Sequence, residues 1–222
     1  MVARVLREDL VGVQIPAARL IYNSRNNFMD KNNLVFIKDA TWDEVFDGWQ
    51  SREASEPGWI ECATKIKGWP DWKTWRQYTA SGIKADSRKW TIYKIINPQE
   101  EIPQMLVGPY TGWQNRLPQK NVLTFAQMLD IPKNYKEMNQ NDKVLGIANN
   151  FPSSTQFIGL KRQDTGQIVC FEGHHRAVAV ALAGRDGRPI NLSGEITLAL
   201  ADLETGEEKL LDETLVKGSQ KP

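Results

Sequence analysis

The chain holds two histidines, His174 and His175, and they are neighbours in the run Glu172-Gly173-His174-His175-Arg176. Two imidazoles and a guanidinium directly after a glycine have three uses. One is metal ligation. Neighbouring residues point about 100° apart on a helix and to opposite faces of a strand, so this pair makes a poor chelate. No third or fourth soft ligand lies at motif spacing, since Cys170 belongs to the preceding apolar run, and no protein metal site is expected. The second use is structural, with one histidine hydrogen-bonded in the core and Arg176 in an ion pair. The third is anion binding. Gly173 allows a tight turn and close ligand approach. The first N–H groups of a helix have no internal partners, and the helix dipole adds partial positive charge there. With all the histidine of the chain at one such junction, a phosphate or a carboxylate is the expected occupant.

The flanking sequence must supply the strand and the helix. QIVCF (167–171) reads as a strand and, with TQFIGLKRQ (155–163) and the turn Asp164-Thr165-Gly166, as a hairpin. AVAVALA (177–183) follows the turn; its alanines and the terminal Gly184 favour a helix. WTIYKII (90–96), LVFIKD (34–39) and EITLALADL (195–203) are further strands. VLTFAQML (122–129) and residues 141–152 read as helices, residues 99–118 as mostly loop with a turn of helix, and Asn23 to Asn33 as turns. Glu204 to Glu207 is a turn, and the closing KGSQKP is expected to fray.

Residues 41–81 read as three helices. Thr41 and Glu44 have capping-box spacing, followed by Trp42, Val45, Phe46 and Trp49 on one face. Pro57 opens a second helix that stops near Gly68, and Trp72, Trp75 and Tyr78 mark a third. All eight tryptophans lie between Trp42 and Trp113. Aromatic stripes at helical spacing bury large areas, so they are expected in a core; a partner surface is the alternative.

Composition narrows the classes. The 222 residues are 41% hydrophobic and 25% charged, near the globular average. No apolar run approaches a membrane span, and MVARVLREDL lacks the apolar core of a secretory signal. Lys plus Arg is 28 against 27 for Asp plus Glu, so bulk charge does not suggest nucleic-acid binding. Cys62 and Cys170 have no CxxC spacing and are expected to pack as small hydrophobes in a reducing, cytoplasmic setting.

VCFEGHHRAVAVALAG resembles the signature of the ParB/sulfiredoxin superfamily, in which a strand, a Gly-x-His-Arg or Gly-x-Arg-Arg turn and a helix bind nucleotide phosphates. The Gly-His-His-Arg form is similar to the branch of ParB-like nuclease proteins and free serine kinases. The resemblance spans roughly residues 91–201 and is specific only at Gly173 to Arg176. It implies an α+β (α/β) fold with a mixed sheet and flanking helices. Residues 1–90 would form a mainly helical, tryptophan-rich extension, 91–203 the superfamily domain and 204–222 a tail. It also implies that Gly173, His174, His175 and Arg176 hold phosphate. Sulfiredoxins carry a catalytic cysteine directly after the glycine, where this chain has His174, so sulfinic-acid reduction is disfavoured. Partitioning ParB proteins carry Gly-Glu-Arg-Arg and a helix-turn-helix, for which the 46 residues after Arg176 are too few. In the kinase branch an acidic residue near the domain start activates the substrate hydroxyl; Glu100 or Glu101, in YKIINPQEE, matches by position.

The resulting expectation is a nucleotide (ATP, ADP or CTP) with Mg²⁺, or a phosphorylated small molecule, bound at the turn for phosphoryl transfer or hydrolysis. The alternatives are a ParB-like DNA-associated protein or nuclease, in which Lys161, Arg162, Arg176, Arg185 and Arg188 would cluster, and a non-catalytic interaction protein.

Overall fold

The computed structural model describes residues 33–219. Five strands form one mixed sheet in the order β1-β2-β5-β3-β4: β1 Leu34–Ala40, β2 Trp90–Ile95, β3 Ser154–Arg162, β4 Ile168–Glu172 and β5 Glu195–Leu203. Only β3 and β5 pair in parallel; the other neighbours are antiparallel. Helices cover the sheet, so the fold is α+β, as the sequence pattern implies. The Asn-rich stretch 23–32 lies outside the described residues.

Alternation along the strands divides the core into two layers. On one side Phe157, Ile168, Cys170, Ile196, Leu198 and Leu200 meet helix α9, His174–Asp186. On the other side Ile158, Leu160, Val169, Phe171, Ala199 and Ala201 meet the tryptophan-rich helices α1 (Trp42–Glu53), α2 (Pro57–Glu61) and α3 (Trp72–Ser81). Their ends follow the sequence signals. Thr41 and Glu44 form the reciprocal capping box on α1, Pro57 opens α2, and Asp71 accepts from the Thr74 N–H at 2.7 Å to cap α3. A π-helical turn, Cys62–Ile66, extends α2. Strand β1 pairs with β2, so the residues before position 90 supply part of the sheet as well as helices.

Residues 98–104 and 111–114 form short helices α4 (Pro98–Glu101), a 3₁₀ turn (Ile102–Gln104) and α5 (Thr111–Gln114) within the expected loop. Helices α6 (Phe125–Asp130), α7 (Pro132–Met138) and α8 (Asp142–Asn149) follow; α7 falls in a stretch the pattern left unassigned. The expected helix 177–183 is longer: α9 begins at His174, passes through Gly184 and ends at Gly187, whose φ of +65° makes it the left-handed cap. The C-terminal segment differs from the expected tail. Helix α10, Lys209–Ser219, buries Leu210, Leu211, Thr214 and Leu215, a helical face legible in KLLDETL.

Candidate functional site

The strand–turn–helix unit forms as the sequence predicts. Gly173 ends β4 at φ +108°, and a Cβ there would collide with the Phe157 ring, so glycine is required twice over. No side chain among the described residues caps α9, and its first closing bond is Ala177 N–H to Gly173 C=O. The turn opens onto a cavity of about 460 Å³, walled on the far side by α1, α2 and α3 and on the near side by residues 110–113.

The four predicted phosphate ligands are used in three ways. His174 turns into the core. Its Nε2 accepts from the Gly108 N–H at 3.1 Å, which places the proton on Nδ1, 4.0 Å from the Cys170 sulfur. Its ring stacks on Trp113 at 5.3 Å and meets Tyr110 and Phe125 edge-on. The fit leaves no room at Gly108, where a Cβ would strike the Cys170 carbonyl. His174 is therefore a structural clamp between the 106–110 segment and α9.

Arg176 is also committed. It pairs with Glu172 four residues back and donates to Thr155 Oγ1 and the Gln156 carbonyl. Glu172 in turn meets Arg52 at 3.5 Å. Arg176 contributes fixed positive charge near the cavity while its hydrogen bonds are spent on the sheet.

His175 faces the cavity. It lies between two indoles, with ring centroids 6.2 Å from Trp59 and 5.1 Å from Trp113, and makes no hydrogen bond with the described residues. Burial, then Lys143 and Arg116, hold its pKa down to about 3; burial, then His175, does the same to His174, also to about 3. Both rings are neutral at pH 7, and that of His175 is ready to donate one hydrogen bond or accept one.

Five cationic side chains line the cavity (Arg52, Lys67, Arg76, Lys143 and Arg176) against three carboxylates (Glu53, Glu56 and Glu172). Arg76, 4% exposed, sits among Trp49, Trp59, Trp72, Trp75 and Tyr110, with its guanidinium 4.0 Å from the Trp75 centroid. It donates to Glu53 Oε2 at 2.9 Å, and Trp72 Nε1 donates to the same oxygen at 3.2 Å. Lys143 Nζ lies 4.4 Å over Trp59. The sequence pattern assigned these tryptophans to a core. Trp49, Trp69, Trp72, Trp75 and Trp90 are buried, and Trp49 and Trp75 also wall the cavity with the half-buried Trp59 and Trp113.

Glu100 and Glu101 do not line this cavity. Glu101 is buried and accepts from Asn33 Nδ2 at 2.6 Å, while Glu100 borders a separate depression between α4 and the far end of α9. The cavity carboxylates are instead Glu53, Glu56 and Glu172, which sequence order did not single out. Of the basic residues named for a nucleic-acid groove, Arg162 pairs with Asp164 at the β3–β4 turn, while Arg185 and Arg188 lie at the C-terminal end of α9, paired with Asp130 and Asp186, and Arg176 lies at its opposite end. Among the described residues no three His, Cys, Asp or Glu side chains group as a metal site. No helix among them is long and apolar enough to cross a membrane.

No family model matches the chain, and neither a curated protein nor a solved structure is significantly similar to it. The resemblance to the ParB/sulfiredoxin superfamily stands on the strand–turn–helix motif alone.

Proposed function

We propose that the cavity binds a nucleotide or a phosphorylated small molecule, with a phosphate against the N-terminus of α9. What carries this proposal is the meeting of an uncapped helix start with an aromatic-walled cavity that holds more cations than carboxylates. A cavity of about 460 Å³ is within the usual range for small-molecule sites. The backbone N–H groups of residues 174–176 supply donors, Lys143 and Arg176 supply charge, and His175 supplies a neutral hydrogen-bonding ring. The two indoles beside His175 suit a planar ring on the same ligand.

Phosphoryl transfer or hydrolysis here would draw on that fixed positive charge to stabilise the equatorial oxygens. Mg²⁺ bound through phosphate oxygens needs only one protein carboxylate. Glu56, exposed at the cavity and outside the ion pairs that engage Glu53 and Glu172, fits that part.

Calorimetric titration with ATP, ADP and CTP, each with Mg²⁺, tests the proposal. Binding to the full chain is expected, weakened at least about tenfold by Lys143→Ala or His175→Ala. Arg176→Ala is the poorer probe, because it also breaks the Glu172 pair. Absence of heat with all three nucleotides and with ribose 5-phosphate overturns the proposal.

A further inference from the structure

The charges around the cavity do not cancel, and the ion pairs show where the surplus stands. Arg76 and Glu53 neutralise each other at 2.9 Å. Arg52 and Arg176 share the single carboxylate of Glu172, which leaves one positive charge beside the Gly173 turn. Lys67 donates to the Gly218 carbonyl at 3.0 Å, a bond that leaves its charge in place. Lys143 Nζ lies 4.4 Å over the Trp59 ring, outside any ion pair among the described residues. Net of the exposed Glu56, the five cations and three carboxylates leave two positive charges over. His175, the second residue of α9, stands in that field. Burial, then Lys143, Arg116, Arg176 and Arg76, hold its pKa down, and the charges in that set are all positive. In a half-enclosed cavity such an imbalance is poorly screened, so a group of charge −2 removes it and a group of charge −1 leaves half of it.

We infer that the site takes a terminal phosphate as its dianion, with Lys143 and the Arg52–Glu172–Arg176 group supplying charge, so that a phosphomonoester binds in preference to a sulfate ester or a phosphodiester. The inference rests on the phosphate proposal above and adds the class of ligand. A phosphomonoester carries close to two negative charges above its second pKa of about 6. A sulfate ester of the same shape carries one, and so does a diester. The three outer oxygens of the dianion all accept hydrogen bonds, which suits the N–H groups at the start of α9 and the His175 ring. Backbone phosphates of a nucleic acid are diesters, and the same charge balance disfavours them.

The test is calorimetry on the full chain at about pH 8, above the phosphate pKa and without Mg²⁺. Adenosine 5′-monophosphate is compared with adenosine 5′-sulfate and with the 5′-methyl diester of the monophosphate. The monophosphate is expected to bind at least about tenfold tighter than either. The sulfate matches it in shape, so charge alone separates that pair. Lys143→Gln, at an exposed position, removes one of the charges. It is expected to lower the monophosphate-to-sulfate ratio at least about threefold, a change that a merely structural role would not produce. Equal or tighter binding of the sulfate, or a ratio that Lys143→Gln leaves unchanged, overturns the inference and leaves the phosphate proposal standing. The same holds if ATP binds and the monophosphate does not. If neither ribose 5-phosphate nor any nucleotide binds, both proposals fall.

Discussion

The two sides of the sheet solve burial differently. Toward α9 the core is aliphatic and small: Ala177, Val178, Ala179, Val180, Ala181 and Leu182 pack on Phe157, Ile196 and Leu198 with Met105, Met128 and Met138 as fillers. Flexible and small side chains interdigitate to high density there. Toward α1 and α3 the core is built from Trp49, Trp69, Trp72, Trp75 and Trp90. Rigid rings meet edge-on or tilted, as Trp49 does with Trp72 at 5.5 Å and 84°. That layer also encloses the Arg76–Glu53 pair and borders the cavity. The aliphatic side is a closed core, and the aromatic side is a core with a site cut into it. The turn at Gly173 stands where they meet, with His174 belonging to the first and His175 to the second.

Substitutions on either side of the sheet, and a change of pH, can break or sharpen that contrast. Phe125→Ala, on the aliphatic side at 0% exposure, is expected to cost about 3–5 kcal/mol in chemical denaturation. Trp59→Ala, on the half-open wall, is expected to cost no more than about 1.5 kcal/mol, since that ring already borders empty space. Equal costs would remove the distinction. Gly173→Ala follows at about 3 kcal/mol, from a side chain forced into positive φ and against Phe157. The temperature midpoint should drop accordingly.

The histidines come next. His174→Ala is expected to lose about 2–3 kcal/mol, because it opens a void and strands the Gly108 N–H. His175→Ala should stay within about 1 kcal/mol in the same denaturation series, its effect falling on ligand binding instead. The most gradual effect is that of pH. Both folded pKa values, about 3, lie below the ordinary 6.5, so the native state binds fewer protons than the unfolded chain. The resulting stability is complete above pH 6.5 and is lost progressively as pH falls toward 3. Denaturation midpoints across that range should show the decline, and His174→Gln should flatten it. A slope unchanged by that substitution would mean that His174 does not carry it.

Local sequence carried much of the fold. Capping at Thr41 and Asp71, the Asp164-Thr165-Gly166 turn and the glycine before α9 act over four or five residues, so they are legible in the chain. Helix α10 was legible too, in the spacing of Leu210, Leu211, Thr214 and Leu215, although its neighbouring turn and polar end suggested a frayed tail. The site was legible in part. The Gly173–Arg176 run named one wall of a cavity, but not Arg76, Glu53, Tyr110 or Lys143, which come from four separate segments. Arg76 is four residues from Trp72 on the same helical face, a neighbourhood visible in sequence without any sign of what it would enclose.

Sequence by itself determined that a strand, a left-handed glycine and a helix start follow one another, because those preferences are set by neighbouring residues. Only the tertiary structure decided what the helix start faces. Adjacent histidines on a helix point about 100° apart, so one rotation of α9 sends His174 to Gly108 and His175 to the cavity. That rotation is set by Phe157 and the aliphatic layer beneath the helix, contacts between residues far apart in the chain. The same packing ties Arg176 to Glu172 and Thr155, leaving its charge near the cavity and its hydrogen bonds in the sheet.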